Sequence, residues 1–156
     1  TSSSECSVCG AGKYSVAASG SGTIACIVCP DGKFLLARAG HDAPLLYRAA
    51  SRKVETLNPK GMALGIDSGE VFNRVCADLG LVLEPGDCIL LYTDGATEAL
   101  NADGVEYGVD RLAQALEAGA AQGAAAVLRH VAEDVRAFTG RESKQDDFTL
   151  IAISKK

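Results

Sequence analysis

An unbroken run of five apolar residues, Cys88–Tyr92, constrains the fold of this chain more than any other segment. The turn signal Pro85-Gly86-Asp87 precedes the run, and Thr93-Asp94-Gly95 follows it. A short apolar run between two turn signals is typical of a buried central strand. The run is far shorter than the roughly 20 residues that a membrane-spanning helix needs. We therefore predict a central strand here and no membrane segment.

Short β-type runs separated by turn residues occupy the chain before this strand. Each connection contains Gly, Pro, Asp or Asn, which favours antiparallel hairpins over crossover connections. The predicted strands are Thr23–Cys29, Phe34–Ala39, Pro44–Arg48, Lys53–Leu57, Val71–Asp78 and Leu81–Leu83.

Helical periodicity replaces the β pattern from Gly108 onwards, and an Ala/Gly-rich joint at Ala118–Ala126 divides it into two helices, the second ending at Gly140. A polar loop and Asp146-Asp147 then lead to a last strand, Phe148–Ser154. This order predicts an α+β fold with helices on one face of a mostly antiparallel sheet. The apolar positions of the two helices are Leu112, Ala115, Leu116 and Val127, Val131, Val135, Phe138.

The charge balance argues against a nucleic-acid partner. The chain has 156 residues, with 15 Lys and Arg against 20 Asp and Glu, and a net charge of -5. No basic surplus is available to neutralise the phosphates of DNA or RNA. The length and the apolar content of 47% suit one soluble domain. The Ser/Gly/Cys-containing segment 1–22 carries no clear structural pattern.

Four of the six cysteines form two Cys-x-x-Cys pairs, Cys6 with Cys9 and Cys26 with Cys29. The spacing is typical of a four-thiolate zinc ribbon. Alternatively, the first pair belongs to a disulfide-rich extracellular repeat, or the second pair consists of apolar strand residues before a turn. We favour the strand interpretation, because the residues after the turn complete a hairpin. Cys76 and Cys88 are interpreted as core residues.

Carboxylates lie where two predicted strands meet loops. Asp94 directly follows Cys88–Tyr92, and Asp146 and Asp147 directly precede the last strand. If these strands are neighbours, Asp94 and Asp146 could converge on one Mg²⁺ or Mn²⁺, since hard cations prefer carboxylate oxygens. Gly95 would allow a sharp turn or a close approach to a ligand. The alternative is that the three aspartates only cap turns.

Five spaced motifs carry a family resemblance: Ala39–Leu46, Gly61–Ile66, Leu83–Ala99, Tyr107–Leu112 and Asp146–Leu150. In this order they resemble the C-terminal half of the SpoIIE/RsbU-type branch of the metal-dependent PPM protein phosphatases, which have the type 2C fold. The match runs from about Thr23 to Ile153. It implies an antiparallel β-sandwich with flanking helices, its N-terminal portion missing here. Residues 23–156 would be the C-terminal part of that domain.

The resemblance implies hydrolysis of phosphoserine or phosphothreonine by water bound at a dinuclear Mn²⁺ or Mg²⁺ centre. Asp94 matches a metal-ligating Asp, with Gly95 beside it, and Asp146 matches the ligating first Asp of the second motif. Asp147 is the weaker candidate of that pair. His41 lies in a hairpin motif and is interpreted as structural. His130, on the second helix, is placed at the solvent or at the edge of the core, and Glu98 and Asp110 are explained by helix capping.

The family's N-terminal acidic motifs are absent, and Glu5 is the one carboxylate before Thr23. We therefore expect a fragment of a larger phosphatase or a degenerate relative, with little or no activity alone, continuous with upstream sensor or regulatory sequence. The expected partner is a phosphorylated protein such as an anti-sigma-factor antagonist, and the expected location is cytoplasmic. The alternatives are a non-catalytic interaction module and, less favoured, a zinc-ribbon adaptor.

Overall fold

The computed structural model of the chain describes residues 23–28, 33–67, 69–140 and 148–156, with the backbone alone described for 23–28. These residues form seven strands and four helices. The strands are β1 (Thr23–Val28), β2 (Lys33–Ala39), β3 (Leu45–Arg48), β4 (Lys53–Thr56), β5 (Leu79–Val82), β6 (Cys88–Tyr92) and β7 (Leu150–Ser154). The helices are α1 (Glu70–Val75), α2 (Asp94–Thr97), α3 (Val109–Ala120) and α4 (Ala124–Thr139).

The described residues divide into two compact units, and each unit contains one antiparallel sheet. The first unit contains the described residues within 1–41 and 58–83, and the second those within 42–57 and 84–156. This combination of antiparallel sheets and helices confirms the predicted α+β class. Within the described part of the chain, no helix combines the length and apolar character needed to cross a membrane.

The sheet of the first unit has the strand order β1-β2-β5. Its β1-β2 hairpin confirms the predicted connection, with Thr23 opposite Ala39 and Cys26 opposite Leu36. Cys26 thus lies in a strand, as the strand interpretation of the second cysteine pair predicts. The other members of the two pairs, Cys6, Cys9 and Cys29, lie outside the described residues, so the zinc-ribbon alternative stays a prediction.

The strand predicted at Val71–Asp78 is wrong, because the chain forms helix α1 over Glu70–Val75. The Asp67 carboxylate is the physical reason. Its Oδ2 accepts hydrogen bonds from three N–H groups, which occupies donors that the first turn of a helix leaves unpaired. These donors are Gly69 at 2.8 Å, Val71 at 2.8 Å and Phe72 at 3.3 Å.

Two smaller predictions in this region also change. The strand after α1 covers Leu79–Val82 rather than Leu81–Leu83, and it pairs with β2. Cys76, predicted as a core residue, is partly exposed and ends α1, whereas Cys88 is buried as predicted. The reason is the same helix, since it moves Cys76 from a strand to a helix end.

The sheet of the second unit has the order β4-β3-β6-β7 and is antiparallel throughout. All five residues of β6 are buried, which confirms the central strand predicted from the apolar run. Along β7, Ser154 lies opposite Cys88 and Leu150 lies opposite Tyr92. The last strand of the chain therefore begins beside the end of β6.

Helices α3 and α4 pack together and against this sheet. The predicted apolar faces are confirmed except that Phe138 is only partly buried. Gly119 is a point of close approach between the helices, because a Cβ atom there would lie 2.7 Å from Cα of Val127. Residues 121–123 of the predicted Ala/Gly-rich joint connect the two helices, and the rest of the joint is helical. Its small residues let the helices pack closely.

A partly buried polar cluster joins α4 to α3 and to Tyr107, which lies just before α3. The Arg111 guanidinium donates to both carboxylate oxygens of Asp134, at 2.8 and 3.0 Å, and the Tyr107 hydroxyl donates to the same carboxylate at 2.6 Å. Arg111 also lies over the Phe138 ring, 4.7 Å from its centroid. The hydrogen bond from Arg111 is the main cause that lowers the pKa of Asp134. This cluster accounts for Tyr107 and Arg111 in the Tyr107–Leu112 motif.

Candidate metal centre

Asp94 lies where β6 ends, as the first residue of α2. Its side chain is exposed, and its Oδ1 accepts a hydrogen bond from the Gly95 N–H at 2.8 Å. Its backbone carbonyl accepts from the Glu98 N–H at 2.8 Å and from the Thr97 hydroxyl at 3.2 Å. The backbone of Asp94 is therefore held in place while its carboxylate faces solvent.

Gly95 lies inside α2 and is buried. Among the described residues with positive φ, eight are glycines, and Gly95 is not one of them. The chain thus turns here by entering a short helix rather than through a left-handed glycine. The structure places Gly95 directly beside the Asp94 carboxylate, through the 2.8 Å hydrogen bond of its N–H.

Thr93 connects the end of β6 to the start of β7. Its N–H donates to the Thr149 carbonyl at 3.2 Å, and its Oγ1 accepts from the Thr149 N–H at 3.0 Å. These bonds continue the pairing of Tyr92 with Leu150 by one further step. The sequence identified Thr93 only as part of the turn signal Thr93-Asp94-Gly95 and predicted no role for its hydroxyl.

The other two predicted ligands, Asp146 and Asp147, lie outside the described residues. The described chain resumes at Phe148, next to Thr149. Since consecutive Cα atoms are about 3.8 Å apart, Asp146 is no more than about 8 Å of chain from Phe148.

Tyr92 fixes the same end of β6 to the segment before β3. Its hydroxyl donates to the Ala43 carbonyl at 3.1 Å. Burial raises the pKa of Tyr92 to about 12, and the nearby Asp42 carboxylate contributes to the rise. The phenol therefore stays protonated at neutral pH and remains a hydrogen-bond donor.

Asp87, at the opposite end of β6, has a structural role. It is only 1% exposed and accepts hydrogen bonds from the N–H groups of Ala49 and Glu84 and from the Arg48 guanidinium. Burial by itself would raise the pKa of Asp87, but these hydrogen bonds outweigh burial and lower it. A buried carboxylate with this many donors is already satisfied, so Asp87 is not a ligand candidate.

The donor set at Asp94 suits a hard divalent cation, because an exposed carboxylate oxygen on a fixed backbone is the ligand type that Mg²⁺ and Mn²⁺ prefer. Within the described ranges, no three His, Cys, Asp or Glu side chains are grouped to hold a metal. A complete site would therefore need ligands in addition to Asp94.

The remaining candidate residues have positions consistent with structural roles. The His41 carbonyl accepts a hydrogen bond from Arg38 at 2.9 Å. His130 is partly buried on α4, Glu98 follows the last residue of α2, and Asp110 lies in the first turn of α3. Acidic side chains in a first turn interact favourably with the helix dipole.

A family model and a curated relative match this chain. The family model described as Stage II sporulation protein E (SpoIIE) matches residues 13–156. The phosphoserine phosphatase RsbU of Bacillus subtilis (strain 168) is 27% identical over 124 residues, which cover 80% of this chain and 35% of that protein. The chain thus spans about a third of that curated relative.

Solved structures give the same result for the fold. The phosphatase domain of the cell fate determinant SpoIIE from Bacillus subtilis, presoaked with Mn, matches with a TM-score of 0.64 at 16% identity, over 86% of this chain and 56% of that one. The RsbU and RsbW domains of Rv1364c from Mycobacterium tuberculosis match with a TM-score of 0.57 at 28% identity, over 80% and 33%. The SiaA PP2C domain of Pseudomonas aeruginosa matches with a TM-score of 0.61 at 20% identity, over 80% and 51%.

Proposed function

Because this chain belongs to the SpoIIE family, within the SpoIIE/RsbU-type branch of PPM phosphatases, we propose that it takes part in metal-dependent hydrolysis of phosphoserine or phosphothreonine in a signalling protein. Residues 23–156 would be the C-terminal part of the phosphatase domain, and 1–22 a separate segment. The reaction would take place in the cytoplasm, as the resemblance implies.

The pairing of β6 with β7 is the observation that carries this proposal. It brings the residue before Asp94 within hydrogen-bonding distance of Thr149, at 3.0 and 3.2 Å. Asp146 and Asp147 come directly before Phe148 in the chain. Carboxylates that flank two paired strand ends on the same edge of a sheet can reach a common cation.

In this proposal, Asp94 and Asp146 provide carboxylate oxygens to the cation, and Asp147 is a weaker candidate ligand. The backbone of Gly95 supports the centre beside Asp94. When bound, Mn²⁺ or Mg²⁺ would supply Lewis-acid activation and neutralise charge on the phosphoryl group. The residues of this chain orient the ligands: α2 holds the Asp94 backbone, and the Gly95 N–H holds Oδ1. A carboxylate that is already oriented loses less entropy when it binds.

The proposed substrate is a phosphorylated protein of the anti-sigma-factor antagonist type. The relative named phosphoserine phosphatase RsbU supports phosphoserine as the hydrolysed group. The acidic charge of this chain, -5, fits a protein that attracts divalent cations rather than nucleic acid.

A Mn²⁺-binding titration tests the metal centre, with the electron paramagnetic resonance signal of free Mn²⁺ as the measurement. We expect Asp94→Asn and Asp146→Asn each to weaken binding at least about tenfold, because each removes a charged ligand. The matched control is Asp103→Asn, in an exposed turn of the same unit. Equal Mn²⁺ affinity in Asp94→Asn and Asp103→Asn would contradict the proposal.

Hydrolysis of a phosphoserine peptide with and without Mn²⁺ tests the reaction. Any turnover by the chain should require the metal and fall in Asp94→Asn. Turnover that requires neither Mn²⁺ nor the Asp94 carboxylate would overturn the assignment. Mn²⁺ binding without any turnover would fit both a fragment of a larger phosphatase and a non-catalytic signalling module, because neither is expected to be active alone.

A further inference from the structure

We propose that Thr93 is a positioning residue of the candidate metal centre, whose hydroxyl sets the direction of the Asp94 carboxylate by joining the end of β6 to the start of β7. This inference rests on the proposed function, since it concerns the same centre. It assigns a role to a residue that holds no cation itself. The evidence is the set of hydrogen bonds around Thr93.

The Thr93 side chain does not do what its position predicts. Thr93 is the N-cap residue of α2, and threonine at an N-cap commonly accepts a hydrogen bond from an N–H of the first helical turn. Thr93 makes no such capping bond. Its Oγ1 instead accepts from the Thr149 N–H at 3.0 Å, on the neighbouring strand. The hydroxyl therefore connects two strands rather than stabilising the helix.

The Thr93 backbone is fixed from both directions. Its N–H donates to the Thr149 carbonyl at 3.2 Å, and its carbonyl accepts from the Ala96 N–H at 2.9 Å. With the hydroxyl, the residue before Asp94 has at least three hydrogen bonds to backbone groups. The φ and ψ angles of Thr93, -94° and 159°, keep it extended like the strand that it follows.

Asp94 is exposed, so packing contributes little to its orientation. Among the described residues, two features can orient its carboxylate: the fixed backbone of Thr93 directly before it, and the Gly95 N–H, which donates to Oδ1 at 2.8 Å. If the Thr93 hydroxyl is removed, the Thr149 N–H loses its acceptor and the two strand ends can separate. The Asp94 carboxylate would then sample more directions, and a cation would bind less tightly.

The test compares Thr93→Val, which keeps the shape but removes the acceptor, with Thr93→Ser, which keeps the acceptor. We expect Thr93→Val to weaken Mn²⁺ binding about tenfold, as the loss of a ligand-orienting partner commonly does, and Thr93→Ser to stay within about twofold of the original chain. Thr56→Val is the matched control, because Thr56 is exposed on β4, at the other edge of the same sheet. Circular dichroism verifies that each variant is folded, and Thr93→Ala replaces Thr93→Val if the latter is not.

Amide hydrogen exchange without metal provides a second measurement. Thr93→Val should speed exchange at Thr149 and at Gly95, whereas Thr56→Val and Thr93→Ser should leave both rates near their original values. Failure of the original chain to bind Mn²⁺ would remove the metal proposal, and unchanged exchange at Gly95 in Thr93→Val would overturn the positioning role. Mn²⁺ binding by Thr93→Val equal to that of the original chain would also overturn it.

Discussion

The Asp87 carboxylate lies 2.8 Å from the Arg48 guanidinium, although the two residues are 39 positions apart in the chain. The same carboxylate accepts hydrogen bonds from the Ala49 N–H at 2.9 Å and the Glu84 N–H at 3.0 Å. It thus joins the turn after β3 to the turn before β6. Breaking a buried ion pair by removing one partner is costly, because the remaining groups stay desolvated and unpaired.

We expect Asp87→Ala to destabilise the chain by about 3 kcal/mol, since it leaves the Ala49 and Glu84 N–H groups without their acceptor and removes the nearer of the two carboxylates paired with Arg48. Urea denaturation measures the change in the free energy of unfolding. Asp103→Ala, in an exposed turn, is the control and should change it by no more than about 0.5 kcal/mol. Similar midpoints for the two variants would contradict a structural role for Asp87.

Stability should fall when the pH drops below about 4. The pKa of Asp87 is lowered in the folded chain from the ordinary value of 3.8. A carboxylate with a lowered folded pKa contributes stability that is present above its unfolded pKa and is lost as the pH falls through the folded pKa. As the pH falls from about 5 to about 2, the urea midpoint of Asp87→Asn should decline less steeply than that of the original chain. Parallel declines in both proteins would show that Asp87 does not contribute.

We expect Gly119→Ala to destabilise the α3–α4 pair. Alanine improves helix propensity by about 1 kcal/mol, but the new Cβ would lie 2.7 Å from Cα of Val127 and 2.9 Å from its N, and backbone atoms cannot move aside easily. Overpacking costs about 1–3 kcal/mol, so we expect a net loss of about 1 kcal/mol. Gln114→Ala, on the exposed face of α3, should not lower the thermal midpoint, and a rise in Gly119→Ala would contradict the close approach.

Tyr107 and Asp134 should be energetically coupled through their 2.6 Å hydrogen bond. The Asp134 side chain is 36% exposed, so solvent reduces the expected coupling to about 1 kcal/mol. Tyr107→Phe, Asp134→Asn and the double variant form the cycle, with unfolding free energies from urea titration. Effects that add within about 0.3 kcal/mol would show that the bond does not stabilise the α3–α4 junction.

The pattern of apolar residues predicted most of the fold, because the spacing of these residues matches the positions that are buried. Every residue of Cys88–Tyr92 is buried, and the apolar residues Leu112, Leu116 and Val131 face the core as their spacing requires. The prediction failed at α1, where β-type residues form a helix because the Asp67 side chain caps its start. A side-chain cap of this kind depends on loop geometry, and residue propensity alone does not contain it.

The position of Asp94 at the end of a buried strand was predictable from the sequence, whereas its role as a metal ligand stays a prediction. A carboxylate after a buried strand identified Asp94, because strand ends hold side chains rigidly at the surface. The function of Thr93 depends on which strand lies beside β6, and that neighbour, β7, comes 56 positions later. Local sequence cannot reveal a partner at such a separation.

The bond between Thr93 and Thr149 also means that the intervening chain leaves the sheet and returns to it at one place. Helices α3 and α4 belong to this intervening chain, whose two ends are held together by the pairing of β6 with β7. The length of the intervening chain can therefore change without changing that pairing. Loop-closure cost rises only by about 0.6 kcal/mol for each doubling of length. The exposed connection at Ala121 and Gln122 is therefore where this architecture could accept inserted sequence, even an entire additional module, while the sheet edge stays as it is.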